Sequence, residues 1–261
     1  EWNGTTGVMN ANPDSDLATN SNVTNSGVMN YLNQFGNYSS SYMTYDNVSE
    51  LFYAAVRYFQ NLGNVPEWTN GATVAQKDNF PAPATWADPI LYSCQKNFIL
   101  GIGDSNTHFD INTGGNGGLT NQNGAARAMP SAVTADTFNL SATWTTAIET
   151  AEGLTSRGMR YGATPGSEFI AGLAYGNHVN DIRADLTGKQ SIDTYWMDVM
   201  EGQYAQDKNP YWLAAKYGGF NVSAGFDTTA TPALQDSWWS SGASIPMYSR
   251  GSFNLSNPTN N

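Results

Sequence analysis

Two apolar runs restrict what this chain folds into more than any other feature. They are Asn97-Phe-Ile-Leu-Gly-Ile-Gly-Asp104 and Thr194-Tyr-Trp-Met-Asp-Val-Met200. A strand with one wet face alternates polar and apolar residues. Runs without that alternation are typical of central parallel strands covered on both faces. Parallel strands need a crossover, and the crossover is right-handed. The stretch between the runs supplies one, with a helix expected within 131–154 and another from Phe169 to about Ile182. In the second, Phe169, Leu173, Val179 and Ile182 partly line one side. The expected class is α/β, a doubly wound, mainly parallel sheet with long irregular insertions.

A further helix is expected from Val48 to about Leu62. Leu51, Ala54, Ala55, Tyr58, Phe59 and Leu62 recur at helical spacing and form an apolar face. Asp46, Asn47 or Ser49 caps its start, and Gly63 ends it. A short helix is read at Val28–Phe35 and another at Pro210–Tyr217, stopped by Gly218-Gly219. Residues 1–46 and 105–130 read as polar insertions, and 221–261 as a loop-rich tail. The whole of 1–261 reads as a single domain fragment.

Composition narrows the function classes. The formal net charge is -11 and only 13% of the 261 residues are charged. Such a chain repels phosphate backbones, so no nucleic acid partner is expected. No apolar run reaches the roughly 20 residues that span a membrane. Neutral polar residues carry the solubility, which suits an exported surface. The chain begins at Glu1, which reads as processing or excision from something longer. The lone Cys94 is expected to be unpaired within the chain, a buried and inert thiol.

The segment Gly103-Asp104-Ser105 follows the first run and looks like the nucleophile block of GDSL/SGNH esterases, with Ser105 attacking. That chemistry needs an Asp-x-x-His pair near the C-terminus. The chain has only His108 and His178, preceded three residues earlier by Ser105 and Tyr175. The triad is not assembled by that recipe, and no catalytic residue is assigned. The same loop offers oxygens for a hard cation, Ca²⁺ or Mg²⁺, with Asp104 the first candidate ligand and Asp110 the second. Ligands favour the carboxyl ends of parallel strands, which makes this strand exit the expected site. The EF-hand spacing is not met, so no tightly bound metal is expected. Tyr211-Trp212 and Trp238-Trp239 read as carbohydrate or partner contacts, or as aromatics pinning loops to a core.

Several collinear blocks are similar to one family. They include Val28–Gly36, Val48-Ser-Glu-Leu-Phe-Tyr-Ala-Ala-Val-Arg-Tyr-Phe-Gln-Asn-Leu-Gly63 and Cys94-Gln-Lys-Asn-Phe-Ile-Leu-Gly-Ile-Gly-Asp-Ser-Asn-Thr-His108. Ile170–Arg183, Thr194–Val199 and Trp212–Phe220 continue the match. Over roughly residues 1–240 the chain resembles the N-terminal half of PilY-type assembly and tip-adhesin proteins of type IV pili. The resemblance implies a von Willebrand factor A-like domain, here an incomplete one. It implies a non-enzymatic role in pilus biogenesis, adhesion and motility, with pilins or minor pilins and a host or surface receptor as partners. It places the protein at the cell surface, pilus tip or outer membrane of a Gram-negative bacterium. Asp104 falls where A-type domains put an acidic residue near their metal, but their Asp-x-Ser-x-Ser loop is absent. A structural subunit of a filament is a third reading, beside the binding module and the esterase.

Overall fold

The computed structural model describes residues 5–6, 47–73, 85–103, 112–115, 129–154, 169–198, 209–230, 232–239 and 254–255. Both apolar runs are strands. β1 is Asn97–Gly103 and β2 is Ile192–Asp198. They pair in parallel, Asn97 beside Ile192 and Gly103 beside Asp198. A two-residue strand, β3 (Asn254–Leu255), joins antiparallel at Met197 and Asp198, giving the order β1-β2-β3. The parallel neighbours expected from the sequence are therefore present.

The expected cover on both faces is not. Ile192, Thr194 and Trp196 point into the core. On the other face Phe98, Leu100 and Ile102 are 50%, 62% and 63% exposed. An apolar run records side-chain chemistry, not how many faces are covered. The core-facing side is fixed by Trp196, whose ring lies over Gly101. A Cβ at Gly101 would sit 1.9 Å from that ring, so glycine here makes room for tryptophan on the neighbouring strand.

The chain divides into two compact units, 1–44 with 64–86, and 45–63 with 87–261. The described part of the first holds helix α2 (Pro66–Thr69), opened by proline at its first turn and tied by Asn64 Nδ2 to Thr69 Oγ1 at 3.0 Å. The second unit carries the sheet, and its packing runs through helix α5 (Phe169–Val179). Every residue of α5 is buried, not one side as expected. It packs against β2, α1 (Val48–Phe59), α4 (Ser141–Ala151) and α6 (Pro210–Gly218). Gly172 and Gly176 permit this. A Cβ on Gly172 would meet Thr145 Oγ1 at 2.4 Å and the Ser141 carbonyl at 2.5 Å. One on Gly176 would meet the Trp144 ring at 2.1 Å.

The helix expected within 131–154 is two helices, α3 (Ser131–Thr134) and α4. Asp136 separates them, because its Oδ1 accepts from the backbone N–H of Phe138 and Asn139 at 3.0 and 2.9 Å. Such a local side-chain bond competes with helix continuation.

Helix α1 lies where expected but buries a different face. Leu51 is 71% exposed, and Tyr58 and Leu62 are also exposed. The buried set is Ser49, Phe52, Tyr53, Val56, Arg57 and Gln60, which has the same helical spacing. Its polar members are bonded, which is why polarity alone misleads. Gln60 Nε2 donates to Asn177 Oδ1 at 2.8 Å, and Gln60 Oε1 accepts from Asn139 Nδ2 at 2.9 Å. Tyr53 donates to Asp136 Oδ2 at 2.6 Å. Burial, then the Asp136 carboxylate, raises the Tyr53 pKa, so the phenol stays a donor. Arg57 reaches the carbonyls of Leu62, Gly63 and Ala132.

Asn61, with φ of 56°, ends the helix instead of Gly63. Leu62 N–H bonds the Arg57 carbonyl and Asn61 N–H the Tyr58 carbonyl, the paired bonds of a Schellman stop. Cys94 is unpaired within the chain as expected, but it is exposed where a buried thiol was expected. It sits in the turn before β1, closed by Gln95 N–H on the Tyr92 carbonyl.

The α1 face is testable. Phe52→Ala should cost about 3–5 kcal/mol, the range for deleting a buried phenylalanine. Leu51→Ala should stay within about 0.5 kcal/mol, as exposed substitutions do. Urea denaturation of both variants measures this, and the opposite ranking restores the face read from the sequence.

Candidate functional site

A cavity of about 430 Å³ opens at the amino end of the parallel strands. It is bounded by His178 at the end of α5, the start of β2 and the segment after α6. Lys189, Ser191 and Asp193 also border a second cavity of about 240 Å³, which runs past Cys94, Gln95, Lys96 and Asn97. The two form one groove across the entrances of β1 and β2.

The groove is held by three local devices. The first is the α6 start, where Asn209 Oδ1 accepts from Tyr211 and Trp212 N–H at 2.9 and 3.1 Å with Pro210 at the first position. This fixes α6 so that Gly218-Gly219 delivers Phe220 and Asn221 to the groove wall. The second is His178. Its Nδ1 lies 3.0 Å from Asp193 Oδ1 and its Nε2 is 2.7 Å from the Phe220 carbonyl. One imidazole thus ties α5, β2 and the post-α6 segment together. A neutral ring has one N–H and serves one of these acceptors, whereas the protonated ring serves both.

The third device is the 180–191 turn. Asp181 Oδ1 accepts from the N–H of Arg183 and Gln190, and Ile182 N–H bonds the Gln190 carbonyl. The buried Arg183 guanidinium grips Asp88 through two bonds of 2.7 and 2.8 Å and Asp185 through two of 2.8 Å. Those contacts hold both carboxylates below their usual pKa and hold Arg183 charged. Lys189 projects from this turn. Burial of its surroundings holds its ammonium below the ordinary lysine range, with Asp181 opposing.

Asp104, Asp110, Ser105 and His108 lie outside the described residues, as do nearly all of the 1–46 insertion and the 28–35 helix. Among the described residues no three His, Cys, Asp or Glu side chains gather as a metal site. His178 was noted in the sequence only for lacking an Asp three residues earlier; its partner Asp193 comes from the next strand. Of the aromatic pairs, Tyr211 and Trp212 are buried, with Tyr211 stacked on Trp196 at 4.1 Å. Tyr211 pins α6 to β2, while the Trp212 ring meets Trp239 edge-on at 5.3 Å. Trp238 is half-buried and lines the groove.

Helices packed on one face of a parallel strand pair define an α/β module, and its described groove is polar with aromatic walls. No family model matches the chain and no solved structure matches it. One curated protein does: the type IV pilus biogenesis factor PilY1 homolog of Xylella fastidiosa (strain Temecula1) is 40% identical over 272 aligned residues, covering 93% of this chain. The chain spans 22% of that relative's length. The match agrees with the PilY-type resemblance carried by the collinear sequence blocks: over 93% of its length the chain is similar to part of a PilY1 homolog. Among the described residues no helix is long and apolar enough to cross a membrane.

The Arg183 cluster sets an acid limit on the 180–191 turn. Both carboxylates have depressed folded pKa values. The stability they add is therefore present above their unfolded value of about 3.9 and is lost as pH falls through the folded values. The thermal midpoint should drop below about pH 4. That drop should be smaller in Arg183→Gln than in the parent chain, measured by circular dichroism melts from pH 7 to pH 2.5. An equal drop in both would remove this cluster from the account.

Proposed function

We propose that this chain is a non-enzymatic binding and assembly module of a PilY-type surface protein, acting in type IV pilus biogenesis, adhesion and twitching motility. The observation that carries the reading is 40% identity maintained across 93% of the chain. Its site of action is the cell surface, pilus tip or outer membrane of a Gram-negative bacterium. Its partners are pilins or minor pilins and a surface receptor. We read 1–261 as one von Willebrand factor A-like domain fragment, a reading supported by the parallel β1–β2 pair and the helices packed on it.

The esterase reading finds no support in the second histidine. A hydrolytic base turns one nitrogen to a carboxylate and the other to the nucleophile. His178 turns its other nitrogen to a backbone carbonyl.

Deleting the coding region for these residues from the parent gene should reduce sheared surface pili and shrink twitching zones by tenfold or more. Normal pili and normal zones would overturn the reading. Turnover of a p-nitrophenyl ester that Ser105→Ala abolishes would replace it with the esterase.

Any Ca²⁺ or Mg²⁺ held by this chain binds at the exit of β1, with Asp104 as first ligand and Asp110 as second. With so few carboxylates its affinity is about millimolar, the range of weak extracellular sites. Calorimetry with calcium should find no micromolar site. A micromolar site that survives Asp104→Ala would move the metal elsewhere.

A further inference from the structure

Three side chains on the groove have unused hydrogen-bonding capacity, and two half-exposed rings flank them. One Asp193 oxygen lies 3.0 Å from His178 Nδ1, which leaves the other oxygen as an acceptor. The Lys189 ammonium has no ion-pair partner among the described residues and borders both cavities. Asn221 is exposed and borders the larger cavity; its backbone N–H is occupied by the Trp238 carbonyl, and its side-chain amide carries donors and an acceptor. Tyr195 and Trp238 stand at the walls, and the Phe220 ring is buried behind them.

From this lining we infer that the groove binds a neutral saccharide. The argument proceeds by ligand chemistry. An apolar ligand would bury Asp193 and Lys189 without partners, which costs more than the ring contacts return. A polyanion meets a chain of net charge -11 and the Asp193 carboxylate on the cavity lining, so its approach is opposed. In the larger cavity one lysine, Lys189, stands with one carboxylate, Asp193, which leaves that space near neutrality, and Lys96 adds a second cation in the smaller cavity. A polyhydroxylated ring suits it, since each hydroxyl donates to a carboxylate or amide oxygen and accepts from an ammonium or amide N–H. Its C–H faces lie against aromatic rings, which offer an apolar surface of low flexibility with polar groups at the edge. The volume, about 430 Å³ continuing into about 240 Å³, is within the range of small-ligand clefts. Its elongation fits a short oligosaccharide better than a single compact ligand.

The inference deepens the surface-binding reading and draws its biological sense from it. Its test uses only the purified 261-residue chain, so failure here leaves the pilus phenotype untouched. The probes are cellotriose, maltotriose and chitotriose, with trigalacturonate as the acidic comparison and tetra-alanine as the peptide comparison. Saturation-transfer NMR and titration should detect at least one neutral trisaccharide. Affinity should fall tenfold or more in Asn221→Ala and in Tyr195→Ala, with melting curves confirming that each variant is folded. Absence of binding by all three neutral sugars overturns the inference. So does stronger binding of trigalacturonate or tetra-alanine, or sugar binding unchanged in folded variants.

Discussion

The close approach of α5 to its neighbours is the constraint on which the larger unit rests. An ordinary helix presents one apolar stripe to a core, whereas α5 contacts α1, α4, α6 and β2 together and has no wet side. Gly172 lets it meet the backbone of α4. Gly218, from the other partner, brings α6 against Ala174 and Thr194, where an added Cβ would lie 2.8 Å from each. Glycine within a helix costs about 1 kcal/mol relative to alanine. The closer dispersion contacts offset that cost, because interior packing leaves little empty space. Placing α5 places His178 at its last turn, and so the wall of the groove.

Burying a helix on all sides also buries its polar groups, which must then find partners inside. Asn177 does so through Gln60 and Asn139. Its Nδ2 donates to Asn139 Oδ1 at 3.0 Å and to the Leu173 carbonyl at 2.9 Å. Asn139 donates in turn to Gln60 and to Asp136, which also takes the Tyr53 hydroxyl. Amides matched donor to acceptor fix rotation as well as distance, since a slip by one residue would leave several unpaired. The network therefore sets the register of α1 on α5, which apolar contacts alone specify weakly. At the far side Lys216 lies 2.7 Å from Glu152 and 4.4 Å from the center of the Trp239 ring. There burial, then Glu152, raises the Tyr217 pKa.

These features explain which parts of the fold were legible. Strand identity, the β1–β2 pairing and the positions of α1, α5 and α6 follow from apolar clustering and from Pro and Gly punctuation. The buried face of α1 does not. Two interleaved sets, one led by Leu51 and one by Phe52, have equal helical spacing. The deciding partners, Asn139 and Asn177, are remote in sequence. The bare face of β1 was hidden for a related reason, because Phe98, Leu100 and Ile102 read alike whether covered or open. His178 with Asp193 was illegible because the pair depends on the turn that Asp181 and Arg183 build between α5 and β2. The break at Asp136 was readable in principle: Asp-Thr-Phe-Asn is an Asx-turn sequence.

The same turn bears on which end of the sheet the ligand uses. Carboxyl ends of parallel strands are favoured sites because crossover loops leave a crevice there, and Asp104 was singled out on that basis. The described groove is at the amino end. Among the described residues β3 pairs with Met197 and Asp198, and none pairs with the first half of β2 on that side. His178, Phe220 and Asn221 occupy this flank in place of strand residues. An open strand edge invites uncontrolled pairing unless it is blunted. Here the blunting groups are His178 beside Asp193 and the segment after α6, and they blunt the edge without filling it. The groove is therefore a consequence of how this sheet protects its edge, and its polar lining follows from the groups that do so.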